Sequence, residues 1–117
     1  IKMNWYLTKI VFQIDIGKGK NSNQFDEQLR WIKAASTEEA FFKARSIGKN
    51  EEVDFLNKNK SSVSWKFIDV AEIHPLKQWE DGAEICSSTH ESEEANAYIS
   101  FVKHKAMVLQ TQHQLFV

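Results

Sequence analysis

Strict alternation over residues 5–16 constrains the fold of this chain more than any other feature. Tyr6, Ile10, Phe12, Ile14 and Ile16 share one face of an extended segment, with Lys9, Gln13 and Asp15 on the other. Successive strand side chains point to opposite faces, so one dry and one wet face describe an antiparallel strand. Trp5, Leu7 and Val11 interrupt the wet face, which predicts that its first half is covered too.

A second strand is expected over residues 25–35, where Phe25, Leu29 and Trp31 alternate. The polar stretch 17–23, with Gly17 and Gly19, suits a hairpin between the two. A third strand covers 62–73, with Val63, Trp65, Phe67, Ala71 and Ile73 on one face. Its pattern is imperfect: Asp69 breaks the apolar face, and Ile68 and Val70 break the polar one. His74-Pro75 ends it, and Asp81-Gly82 is a turn signal for a fourth strand over 83–89. The polar stretch Glu51–Lys60 reads as a helical turn followed by a loop.

Two helices complete the pattern. Ser36-Thr37-Glu38-Glu39 is a capping box, in which the serine hydroxyl accepts from an amide and Glu39 reaches back. Ala40, Phe41, Ala44 and Ile47 follow on one stripe, with Gly48 as the stop. Ser92-Glu93-Glu94-Ala95 opens the second helix, with Ala95, Tyr98, Ile99, Val102, Ala106 and Leu109 at helical spacing. The order is ββαββα. It predicts a two-layer α+β domain, a four-stranded antiparallel sheet with two helices on one face. The 117 residues are expected to form a single domain, 1–117. Met3 reads as a natural start, 1–2 as an added remnant and 110–117 as a tail.

Several function classes are excluded or weakened. No apolar run approaches membrane-spanning length, and no secretory signal pattern opens the chain, so the expected location is cytoplasmic with no membrane partner. The acceptor triplet Asn59-Lys60-Ser61 then has no glycosylation to receive. The net charge of -1 argues against non-specific nucleic-acid binding. Four glycines are half the number expected from average usage, about 8. Gly17-x-Gly19 lacks the third glycine and the helix start of a dinucleotide fingerprint, so no cofactor is expected.

The segments Trp5-Tyr6-Leu7-x-Lys9-Ile10-Val11-Phe12, Gln24-Phe25-Asp26-Glu27-Gln28-Leu29-Arg30, Glu38-Glu39-Ala40-Phe41-x-Lys43-Ala44-Arg45-x-x-Gly48, Trp65-x-Phe67 and Asp81-Gly82-x-Glu84 occur in this order. Together they resemble the bacterial family called domain of unknown function 4288, over about residues 3–88. The resemblance implies a small bacterial, cytoplasmic protein and supplies no catalytic residues.

Candidate chemistry is sparse. Cys86 is the sole cysteine, which excludes an internal disulfide and fits a reducing compartment. The enzyme reading is a small hydrolase-like or acid–base catalyst using His74 or His90 with Glu72 or Glu84, with Cys86 as an optional nucleophile. On a fourth strand Cys86 and His90 would stand about 13 Å apart on one face, beyond a direct hydrogen bond. His74, His90, His104 and His113 show no paired metal-ligand spacing, so no metal site is expected.

Charge segregation is more informative. Residues 69–94 hold eight acids against Lys77 alone, a net -7 that leaves +6 to the rest of the chain. The leading reading is therefore a non-catalytic binding or protein-interaction module. It would use this acidic edge and the loop 74–82, with His74, Trp79, Glu80, Asp81 and Glu84 as binding residues and a basic protein as partner. A related reading is a regulator or immunity-type protein that masks a basic partner. Phe42, Phe101 and Val108 lie off the core stripes, which suggests a homodimer.

Overall fold

The computed structural model describes residues 2–16, 23–56 and 62–113. The glycines at 17 and 19, the triplet 59–61, the His113 side chain and the terminal 115–117 lie outside them. The elements run β1 (Asn4–Asp15), β2 (Gln24–Ala34), α1 (Thr37–Asn50), β3 (Val53–Leu56), β4 (Ser62–Pro75) and α2 (Ala95–His113). The β-β-α-β-β-α order and the four-stranded antiparallel sheet are as expected, with strand order β2-β1-β4-β3. The chain divides into two compact units, residues 1–86 and 87–117.

In the first unit the alternation in β1 marks the core face as far as Phe12; beyond it Ile14 is half-buried and Ile16 exposed. Trp5, expected to be covered on the other face, is exposed because no helix of the unit packs there. Tyr6, Ile10 and Phe12 are buried with Ile32 and Ala34 of β2 and with Ala40 and Ala44 of α1. Phe67, Val70 and Ile73 of β4 pack against this cluster, and Phe12 meets Phe67 edge to face at 6.0 Å. Thr8 is fully buried in the same row, and its hydroxyl donates to the Arg30 carbonyl at 3.0 Å. That bond removes most of the cost of burying a hydroxyl. Arg30 itself pairs with Glu51 at the end of α1.

The start of α1 is a capping structure. Ser36 Oγ accepts from the Glu39 amide at 3.1 Å, and the Glu39 carboxylate accepts from the Ala35 amide at 3.3 Å. The reach-back is to Ala35, one residue earlier than a capping box requires. Gly48 is not the stop; α1 continues through it to Asn50. A β-carbon there would overlap the Phe67 ring and stand 3.2 Å from Ile10 Cγ2. Gly48 lets the helix approach the sheet closely, which is why this position carries no side chain.

Three other expectations need correction. Residues 53–56 form a strand, not a helical turn: Val53 pairs with Trp65 and Phe55 with Val63. Phe55 stacks on Trp65 at 5.8 Å and 23°, a packing gain that a solvated helical turn lacks. The imperfect alternation of β4 marks two register shifts against β1, with Ala71 and Ile68 as the extra residues. Each is a one-residue bulge, which resets the faces and bends the strand. There is no strand over 83–89: the segment has only Ala83, Ile85 and Cys86 as apolar residues, without the period-two run that a half-buried strand needs. Gly82, at φ 81°, does make the expected turn, closed by the Ala83 amide on the Glu80 carbonyl at 3.1 Å.

In the second unit α2 begins at Ala95, where the Tyr98 amide bonds the Glu94 carbonyl at 3.1 Å. Ser92 donates to the Glu94 carbonyl instead of capping an amide. The helix continues past Gln110 to His113, so the expected tail starts inside it. Its apolar stripe, Tyr98, Ile99, Val102 and Leu109, is exposed. No helix among the described residues is long and apolar enough to cross a membrane.

Candidate functional site

The odd-numbered residues of β1 and β2 build the site, on the sheet face opposite α1. Cross-strand register sets Trp5 beside Lys33, Leu7 beside Trp31 and Lys9 beside Leu29. On the other side of β1, Leu7 pairs with His74 and Lys9 with Glu72. No helix of the unit covers this face, and Trp5, Leu29 and Trp31 are exposed while Leu7 and Lys9 are half-buried. Phe25, Leu29 and Trp31, the alternating residues of β2, thus belong to the open face, while Ile32 and Ala34 supply the core.

At one end of this face Trp5, Trp31, Leu76 and Trp79 enclose a cleft of about 420 Å³. Local chemistry explains its position. The Leu76 amide donates to the Trp5 carbonyl at 2.9 Å, extending the β1–β4 ladder one step beyond Pro75. The chain then turns over the sheet end, and Trp79 meets Trp31 edge to face at 6.0 Å. Trp79 is still 79 % exposed, so it stands as a wall rather than a plug. Lys33 Nζ lies 5.7 Å from the centre of the Trp5 ring, within cation–π range. A second hollow of about 540 Å³ shares Trp31, Leu76 and Trp79 and adds Gln78, Glu80, Asp81, Ala83 and Ile85. Glu80 and Asp81 therefore flank the aromatic cleft. Glu84 is exposed just beyond the turn and lines neither hollow.

The middle of the same face is polar. Lys9 Nζ bonds Glu72 at 2.8 Å and stands 3.8 Å from Glu27, while His74 Nε2 lies 2.8 Å from the other Glu72 oxygen. Lys9, then His74, hold the Glu72 carboxyl below its ordinary range, and Glu72 with Glu27 holds Lys9 above its own. Cys86 is an exposed free thiol that lines a hollow of about 300 Å³ with Lys9, Glu72 and His74. The structure thus gathers Cys86, His74 and Glu72, yet Cys86 makes no hydrogen bond to His74, whose ring faces Glu72 instead. His90 belongs to the second unit, where its ring meets Tyr98 at 5.1 Å. Since 83–89 is not a strand, the spacing expected between Cys86 and His90 has no basis. Among the described residues no three His, Cys, Asp or Glu side chains are grouped to hold a metal ion.

The expected loop 74–82 supplies Leu76 and Trp79 to the cleft and sets Glu80 and Asp81 beside it, whereas Trp5 and Trp31 are not among the expected binding residues. Trp5 and Trp31 are both odd-numbered, and a hairpin register pairing Leu7 with Trp31 places them on one face; that register was the missing signal. No curated protein and no solved structure matches the chain. Residues 5–87 match the family model described as domain of unknown function (DUF4288), and the chain belongs to that family.

Proposed function

We propose that this protein is a non-catalytic binding module whose recognition surface is the open face of the sheet, centred on the tryptophan cleft and the turn at 78–84. One observation carries the reading: three indoles converge on one cleft, on a face that no helix of the unit covers. Large aromatic side chains left in water are usually reserved for contact, and tryptophan is the residue most enriched at binding hot spots. Glu80, Asp81 and Glu84 add negative charge there and have no ion-pair partner among the described residues. That favours a basic protein as partner, including the case of a regulator that masks it. The exposed free thiol of Cys86 fits a reducing, cytoplasmic setting. The test is capture from a lysate of the source cells by immobilised protein, with Trp79→Ala and Asp81→Lys alongside. Proteins held by the wild type and lost by both variants are expected; an unchanged set overturns the reading.

Self-association is supported by Phe42 and Phe101, each 55 % exposed, while Val108 is half-buried. Light scattering at high concentration should give a mass well above 13.6 kDa, and the monomer mass would overturn it.

A thiol-based acid–base enzyme is favoured by one observation only, the hollow shared by Cys86, His74 and Glu72. An enzyme needs Cys86 to react much faster than a free thiol. Its rate with a haloacetamide at neutral pH should match that of free cysteine, and an enhancement of about 100-fold would instead favour the enzyme.

A further inference from the structure

We propose that the tryptophan cleft receives the cationic side chain of a basic protein segment, a lysine or an arginine. This inference rests on the open face being a binding surface and names the chemistry that surface takes.

The walls of the cleft are Trp5, Trp31, Trp79 and Leu76. An indole presents a negative face to a cation, and tryptophan is the strongest of the aromatic side chains in this role. The molecule already seats cations in this way. Lys33 stands 5.7 Å from the centroid of Trp5, one wall of the cleft, and Arg45 stands 4.3 Å from the Phe41 centroid on α1. Lys33 lines neither hollow, so the cleft walls of Trp31 and Trp79 remain for a ligand.

Charge decides between occupants. The adjoining hollow shares Trp31, Leu76 and Trp79 with the cleft and brings Glu80 and Asp81 to its edge. Neither acid is ion-paired among the described residues, in contrast to Glu72, held by Lys9, and Asp69, held by Arg45. An anionic ligand would meet two like charges. A purely apolar one would remove water from two carboxylates and return no partner. A lysine or arginine satisfies both parts, because its apolar stem lies along the aromatic walls while its charged end reaches the acids. The cleft volume of about 420 Å³ is large enough for such a side chain.

The test uses the full chain with nitrogen-labelled indoles, whose N–H signals report each tryptophan separately. The probes are four capped hexapeptides: hexalysine, hexaarginine, hexanorleucine and hexaglutamate. Hexalysine and hexaarginine should shift the Trp31 and Trp79 signals at a concentration at least ten-fold lower than hexanorleucine, and added salt should weaken them. Trp79→Ala, and separately Glu80→Gln with Asp81→Asn, should each weaken binding about five-fold or more. Both changes lie on exposed residues, so folding is retained and can be checked from the remaining indole signals. Equal binding of hexalysine and hexanorleucine overturns the cationic assignment and leaves the binding surface standing. Hexalysine binding unaffected by Trp79→Ala also overturns it, since the contact is then elsewhere. Signals that no peptide moves overturn the assignment and the binding surface together.

Discussion

On one face of the sheet Tyr6, Ile10 and Phe12 are sealed under Ala40 and Ala44 of α1; on the other, Trp31, Trp5 and Leu29 stand 40 %, 46 % and 64 % exposed. Both faces carry large apolar side chains, and they come from the same two strands. On the covered face, small helix residues let the backbone of α1 come close, and every large side chain finds a neighbour. No helix of the same unit lies on the open face, and its aromatic groups instead surround a cleft edged with acids. The contrast separates side chains that hold the fold from side chains held in place by it.

The largest expected effect is on the covered face. Phe12→Ala removes a fully buried ring, and a loss of about 3–5 kcal/mol is expected in urea unfolding. That is a large part of the stability of a domain this size. A loss under about 1 kcal/mol would break the claim that this face is the core. Gly48→Ala comes next. Alanine favours a helix over glycine by up to about 1 kcal/mol, but here it overlaps Phe67 and crowds Ile10. Overpacking of this kind costs about 1–3 kcal/mol, so a net loss is expected from calorimetric unfolding, and a gain would refute the close approach. Ser36→Ala, which frees the Glu39 amide, should cost about 1 kcal/mol by the same measurement.

A smaller effect concerns pH. Arg45 grips Asp69 with two bonds of 2.9 Å, and this contact, with the Val70 amide, holds the Asp69 carboxyl below its ordinary value. A depressed carboxyl stabilises the folded state at all pH above its unfolded value, 3.8, and loses that contribution as pH falls through the lower folded value. Asp69→Asn should therefore lower stability at neutral pH by less than about 1 kcal/mol, because the pair is solvent-screened. It should also flatten the acid limb of the stability–pH curve below pH 4. Unchanged acid sensitivity in denaturant titrations would remove Asp69 from the account.

The legibility of the sequence follows the same contrast. The covered face of β1 is readable, because burial on one side leaves a period-two record in Tyr6, Ile10 and Phe12. In β2 the same rule selects Phe25, Leu29 and Trp31, which are apolar for another reason and lie on the open face. Periodicity registers hydrophobic side chains and cannot tell a core from a contact surface. The bulges of β4 were visible as broken alternation at Ile68, Asp69 and Val70, though only the pairing with β1 shows what they do. The strand at Val53–Leu56 is hidden by its four-residue length, and it gains its stability from stacking Phe55 on Trp65 across a hairpin. The cleft needs residues far apart in sequence, from β1, β2 and the chain after β4, so only the side built by the loop 74–82, Leu76 and Trp79, was legible.

The open face is presented by the fold rather than required by it. The most direct measurement is the urea midpoint of a double variant, Leu29→Ala with Trp79→Ala, which removes the two most exposed large side chains of that face. A stability change under about 1 kcal/mol, with no change in the denaturant slope, is the predicted result. A loss as large as that of Phe12→Ala would show instead that the open face is a second core.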